Sequence, residues 1–219
     1  MKHSSTRELY TYWNERRGTR PAPERDDIDP AAIRKSLGDA FVLANSFSRK
    51  HHYRLAGTRV CALFGREMKG EIFSAAWEKA SQQALDELLT IVGDEAVGVV
   101  AGANAYNAQG DAVELELLLL PLAHRGHARV RALGVLAPIE RPYWLGTLPV
   151  ENLTLTALRH LDPAVEAMPA PTLSRVEPEE IAGPNTPLPD GAQVRHGFVV
   201  YEGGRRMSAS ERLARLTGR

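Results

Sequence analysis

The apolar residues of the first segment recur at helical spacing. Leu9, Tyr12 and Trp13 fall at i, i+3 and i+4, so a helix over Ser4–Arg17 carries three bulky side chains on one stripe. Gly18 is placed to end this helix. A short helix cannot cover such a stripe alone, so the stripe must pack on its own domain or on a partner. We take homodimerisation through Leu9, Tyr12 and Trp13 as the hypothesis.

Apolar runs and alternating positions farther along predict two short strands and three longer ones. The strands are expected at Phe41–Ala44, His52–Leu55, Ala96–Asn107, Ala112–Leu122 and His127–Leu136. In the fourth, apolar residues alternate with Glu114 and Glu116, which is typical of a strand with one buried and one wet face. Short turns between the long strands favour an antiparallel meander.

Helical periodicity predicts three further helices. Asp29 is a good N-cap for a short helix over Pro30–Leu37, because proline suits the first helical position. A long helix over Ser74–Val92 has an apolar face that includes Trp77. A weaker pattern predicts a third helix over Leu153–Leu161.

The proline content and the hydrophobic periodicity of the chain change after Pro149. Half of the fourteen prolines lie between Pro163 and Pro189, in a stretch without periodicity that is typical of a linker. A short strand at His196–Tyr201 and a basic helix at Ser208–Leu216 are expected beyond it. We therefore divide the chain into an N-terminal helical segment (1–39), a central domain (40–148) and a proline-rich C-terminal extension (149–219).

Composition excludes several function classes. The 219 residues include 27 basic and 27 acidic side chains, so a net charge of zero gives no general affinity for nucleic acid or anionic membranes. The single cysteine, Cys61, excludes a disulfide framework and a multi-thiolate zinc site. The N-terminus has no apolar signal region, and the longest apolar runs are far shorter than a membrane span. We expect a soluble cytoplasmic protein.

Two neighbouring motifs and the order of elements resemble the PAS fold. Tyr53–Thr58 resembles the second strand of that fold with its small-residue turn, and Leu63–Gly70 resembles the pattern "lfG…el.G" that follows it. Other positions resemble one bacterial PAS-like family, long catalogued as a domain of unknown function. They are Trp13–Gly18, Arg20, Pro21, Pro23, Arg25, Asp27–Asp29, Pro30, Leu118–Leu122 and Trp144. The resemblance spans roughly Leu9 to Trp144.

The resemblance implies an α+β fold with a five-stranded antiparallel sheet, helices on one face and a small enclosed pocket. It implies a sensory or protein-interaction role. Related families bind flavin, haem or small metabolites and often dimerise through a helix before the domain. This family has no generally assigned ligand, so the cofactor stays unknown.

The residues that could carry cofactor or catalytic chemistry do not form a recognisable set. Cys61 lies outside the photoreactive motif of light-sensing relatives, and no histidine lies on the long helix where a haem ligand is expected. No histidine pair has metal-ligand spacing on a helix. No nucleophile elbow or phosphate loop occurs. The cluster Asp26–Asp29 is better explained by helix capping and a salt bridge to Arg25 than by acid–base catalysis. We therefore expect no enzyme activity and no metal site.

Four aromatic residues could line a ligand pocket: Tyr53, Phe64, Trp77 and Tyr106. The alternative, that they fill the core, is favoured for a single sequence. The leading prediction is a PAS-type regulatory module that acts through protein contacts, with a small ligand as a further input. The alternative is a haem or flavin sensor, or a small-molecule carrier.

Overall fold

The computed structural model describes residues 1–45, 50–124, 127–161, 192–195 and 198–201. Its larger unit is built on one antiparallel sheet in the order β2-β1-β5-β4-β3-β6. The strands are β1 Ala40–Asn45, β2 His51–Ala56, β3 Gly98–Asn107, β4 Ala112–His124, β5 His127–Pro138 and β6 Val150–Leu161. The five predicted strands are confirmed within a few residues, and the fold class is α+β.

Three α-helices accompany the sheet: α1 Ser4–Arg17, α2 Thr58–Phe64 and α3 Lys79–Glu95. Short 3₁₀ turns occur at Arg25–Asp27 and Phe73–Ala76. The bounds of α1 agree with the prediction, and Gly18 ends the helix with a φ of 56°. None of the helices among the described residues is long and apolar enough to cross a membrane.

The inner face of the sheet packs against α2 and α3 around an aromatic cluster. The ring centroids of Phe41, Tyr53 and Phe73 lie 5.5–5.6 Å apart, and Trp77 continues the cluster from Phe73. Gly134 on β5 makes room for it, because a Cβ there would lie 2.3 Å from the Phe41 ring. This side of the sheet is a closely packed core.

The outer face is covered by α1. Leu118, Leu120 and Leu122 of β4 point to this face and pack with Leu9 and Trp13 in a second apolar cluster. Both faces of β4 are therefore buried. The expectation that Glu116 faces water is wrong, because the backbone N–H groups of Lys2 and His3 donate to its carboxylate at 2.6 and 3.0 Å.

The predicted helix over Leu153–Leu161 is wrong, and so is the five-strand count. These residues form β6, which pairs along β3 from Asn107↔Val150 to Gly98↔Leu161 and makes a sixth strand. The spacing of Leu153, Leu155, Leu158 and Leu161 suits either a helix or a strand in isolation, and pairing with the partner strand β3 decides between them.

Two other helix predictions need correction. The long helix begins at Lys79 rather than Ser74, because Trp77 is extended and bridges Leu153. Residues 30–39 form successive turns instead of an α-helix. The backbone N–H groups of Ala32 and Ile33 each donate to the carbonyl three residues earlier, which is the tighter 3₁₀ pattern.

The second compact unit spans Pro171–Arg219. Its described residues are two short antiparallel strands, β7 Ala192–Arg195 and β8 Phe198–Tyr201. The predicted linker between Pro163 and Pro189 and the predicted helix Ser208–Leu216 lie outside the described residues.

Candidate functional site

A groove of about 340 Å³ opens on the outer face of the sheet, beside α1. Its floor is apolar and is formed by Val42, Leu122 and Leu133. One rim carries Leu37, whose exposed fraction is 37 %, and the other carries Leu55 at 52 %. The groove therefore leaves apolar side chains accessible between the segment at residues 25–38 and the edge strand β2.

The turn segment that walls the groove is held by its own short-range hydrogen bonds. Asp29 Oδ1 accepts from the Ala31 N–H at 2.9 Å, as its predicted capping role requires. The following turns place Ile33 in the outer-face cluster and leave Leu37, one turn later, at the rim. Ser36 donates from its hydroxyl to the Glu8 carboxylate and so ties the segment to α1.

A half-buried ion pair lies next to the lining residues Gly38, Ala40 and Thr58 at one end of the groove. Asp39 accepts two bonds from the Arg59 guanidinium, at 2.6 and 2.7 Å, and one from the Ser5 hydroxyl at 2.6 Å. Burial alone would raise the pKa of Asp39, but the bonds from Arg59 and Ser5 outweigh it and lower that pKa below 3.8. The pair joins α1, the turn segment and the start of α2.

Gly57 brings β2 close to the turn segment at the same end. A Cβ on Gly57 would lie 2.1 Å from the Leu37 carbonyl oxygen. The Gly57 N–H donates to Ala40 O at 2.8 Å, so the chain turns into α2 directly against the wall of the groove. Only glycine permits this approach of two backbones.

Arg25 lies at the opposite end of the groove and lines it. Its neighbour Glu24 bridges Ala123, next to Leu122 on the floor. The predicted salt bridge between the Asp26–Asp29 cluster and Arg25 is wrong. Asp27 pairs instead with Arg20 at 2.8 Å, and its carboxylate also accepts from the Glu24 N–H.

The strand register gives the length of the floor between these two ends. Ala40 pairs with Val135 near the Asp39 end, whereas Ala44 pairs with Arg131, which in turn pairs with Leu122. The two rows are four residues apart along β1, or roughly 13 Å at the rise of a strand. The lining residues of the sheet lie between these two rows and reach from Leu55 on β2 to Leu122 on β4.

The structure brings three of the four predicted ligand residues together, but as core. Tyr53, Phe64 and Trp77 are buried on the inner face between the sheet and the helices, and burial raises the pKa of the Tyr53 phenol. Tyr106 shares the face of Val100, on the other side of the sheet, and is half-buried. Their role in ligand binding stays a prediction.

The predicted interaction stripe is covered by the chain itself. Leu9, Tyr12 and Trp13 are all buried against the outer face. The Trp13 indole N–H donates to Pro121 O at 2.8 Å. The Tyr12 hydroxyl accepts from the Asp29 N–H at 2.8 Å, so in this structure the stripe docks on its own domain, and its role in homodimerisation stays a prediction.

The groove was missed because sequence reasoning assigned β4 one wet face. The sequence did contain a signal for the second buried face. Leu118, Leu120 and Leu122 alternate with the inner-face leucines, so both faces of β4 carry apolar side chains that must be buried. Among the residues that the structure describes, no three His, Cys, Asp or Glu side chains are grouped as metal ligands. Cys61 is half-buried on α2.

Comparison with known proteins gives a family and two distant structural neighbours. A family model described as a PAS domain matches residues 1–137. The crystal structure of a Rhodobacter sphaeroides LOV protein is similar, with 16 % identity and a TM-score of 0.37 over 53 % of this chain and 71 % of that chain. The PAS domain of an HTR-like protein from Haloarcula marismortui has 13 % identity and a TM-score of 0.34, covering 49 % and 90 %. No curated protein matches the chain.

Proposed function

The chain belongs to the PAS domain family, and from that premise we propose that it is a regulatory module whose N-terminal segment, residues 1–39, reports the state of the outer-face groove to a partner protein. The observation that carries the proposal is the position of this segment. It forms one wall of the groove and also covers the outer face of the sheet. A ligand in the groove would contact both and would change how firmly the segment docks.

A small set of polar anchors supports a docking equilibrium. The Trp13 indole joins the segment to Pro121, the Asp39 carboxylate joins it to Arg59, and its first backbone N–H groups join it to Glu116. Such contacts hold a rigid piece in one position and are lost together when that piece moves. The sheet beneath retains its own strand pairing and inner core.

We also propose that the module catalyses no reaction itself. The two buried carboxylates in the described part of the outer face already serve structural partners. Asp39 binds Arg59 and Ser5, and Glu116 binds the backbone of the first residues. Although burial raises it, the pKa of Glu116 is lowered overall by these backbone bonds, so the group is held ionised as an acceptor.

Hydrogen exchange by mass spectrometry of the ligand-free full chain tests the proposal. We expect the amides of α1 to open at a lower free energy than those of β4, because the docked segment can detach without breaking the sheet. Tyr12→Phe removes the hydroxyl that accepts from Asp29 and should lower the protection of α1 alone. Tyr143→Phe, at a side chain 93 % exposed, is the matched control.

The proposal is wrong if α1 and β4 exchange with the same opening free energy and respond equally to denaturant. The segment would then be a fixed part of the fold. Absorbance of the purified protein in the Soret or flavin bands would instead favour the alternative of a haem or flavin sensor. Native mass spectrometry of the same sample reports its stoichiometry and any retained molecule.

A further inference from the structure

We propose that the outer-face groove binds an amphiphile with a single carboxylate, whose head group pairs with Arg25 and whose apolar chain lies along the floor. This inference rests on the proposed function and names the class of ligand. The volume of about 340 Å³ falls within the range of small-molecule sites. A carboxylate at Arg25 with an apolar chain over Val42, Leu122 and Leu133 would use both the charged and the apolar part of the lining.

The polarity of the lining points to this chemistry. Apart from the turn backbone and Thr58, the described lining is apolar along its length, and Arg25 is its charged side chain. Among the described residues, the Arg25 guanidinium has no carboxylate partner. A partly buried guanidinium beside an apolar surface is a site for a carboxylate, which it can bind through two parallel N–H donors.

The acidic residues near Arg25 do not compete for this place. Asp27 is paired with Arg20, and Asp29 accepts from the Ala31 backbone. Asp26 is exposed, and none of the three lines the groove. Their negative charges lower the affinity of the groove for a carboxylate, although their side chains do not fill it. Asp26→Asn should therefore tighten the binding of a carboxylate.

The middle of the groove suits an apolar chain. Val42 and Leu55 are directly paired across β1 and β2 and share the outer face, so they form a continuous apolar strip with Leu133. Leu55 is half exposed. A ligand that covers this strip removes apolar surface from water, and this burial stabilises the bound apolar part of the ligand.

Calorimetry on the full chain tests the proposal with two probes, dodecanoate and the uncharged dodecanol, below their micellar concentrations. We expect dodecanoate to bind more tightly than dodecanol. Arg25→Gln should weaken dodecanoate roughly tenfold, the effect of losing one charge-assisted pair at a partly exposed site, and leave dodecanol unchanged. Arg54→Gln, an exposed arginine on β2 outside the groove, is the control and should change neither affinity.

A second pair of variants tests where the apolar part of the ligand lies. Leu55→Glu places a charge on the rim and should weaken both probes, whereas Leu158→Glu, at a leucine 46 % exposed on β6, should weaken neither. The proposal is overturned if dodecanoate does not bind, if Arg25→Gln leaves its affinity unchanged, or if Leu158→Glu acts as strongly as Leu55→Glu. Calorimetry tests the class of ligand, whereas hydrogen exchange of the ligand-free chain tests the docking of α1. A negative result in calorimetry therefore overturns the ligand proposal and does not decide the docking proposal.

Discussion

Replacing Trp13 with phenylalanine isolates the contact that holds α1 on the sheet. The indole is 1 % exposed and its N–H donates to Pro121 O at 2.8 Å. Phenylalanine keeps most of the apolar contact but cannot donate. The Pro121 carbonyl then loses its partner in a buried place that water does not reach freely.

The magnitude follows from these two losses. A net hydrogen bond contributes about 1 kcal/mol, and a buried acceptor left without a donor costs about 1–3 kcal/mol. With the smaller ring, we expect Trp13→Phe to weaken docking of α1 by about 2–3 kcal/mol. Since each 1.4 kcal/mol is a factor of ten, the protection of α1 amides should fall by roughly thirty- to a hundredfold.

Hydrogen exchange resolved by peptide is the assay, because it separates α1 from the sheet. Peptides from β4 should keep most of their protection, and Tyr143→Phe should leave both regions as they are. A change of less than about threefold in α1 would refute the assigned anchor. An equal loss in α1 and β4 would refute separate docking instead.

Three further predictions concern stability. Asp39→Asn should cost about 2–3 kcal/mol at neutral pH; because the folded pKa of Asp39 is lowered, the difference from wild type should shrink as pH falls below 3.8, which acid denaturation measures. Gly134→Ala should cost at least about 2 kcal/mol in urea denaturation, because the new Cβ would overlap the Phe41 ring. Burial lowers the pKa of His51, so wild-type stability should fall relative to His51→Leu as pH drops below 6.5, and an unchanged difference between pH 7.5 and 5.5 would contradict this.

The part of the fold that local patterns determine was predictable. The alternation in Ala112–Leu122 and the spacing of Leu9, Tyr12 and Trp13 placed β4 and α1 correctly. The helix α1 buries one clear face, so its periodicity is strong, whereas β4 is buried on both faces and its apolar run marks its position. The motif Leu63–Gly70 indicated the PAS family.

Features set by distant partners were not predictable. β6 is an edge strand with mostly exposed side chains, so Val150–Leu161 lacks the alternation that marks a buried face. Trp77 has helical spacing relative to Leu85 and Leu88, yet it is pulled out of the helix into the aromatic cluster. In both places tertiary contacts decide the local conformation.

The groove, too, is set by partners that are distant in sequence and was not predictable. Val42 and Leu133 are ordinary strand residues in sequence, and Arg25 lies in a proline- and aspartate-rich stretch. Only the docking of residues 1–39 on the outer face brings them to one cavity. The sequence indicated that the α1 stripe must be covered, but it left open whether the domain or a partner covers it.

Hydrogen exchange of residues 1–39 with and without bound dodecanoate tests the central claim most directly. Occupancy of the groove should change the protection of this segment in the wild-type chain, and Arg25→Gln should require correspondingly more dodecanoate for the same change. The β3 and β4 amides should respond less. Full occupancy by calorimetry, with exchange of residues 1–39 unaltered, would contradict the account.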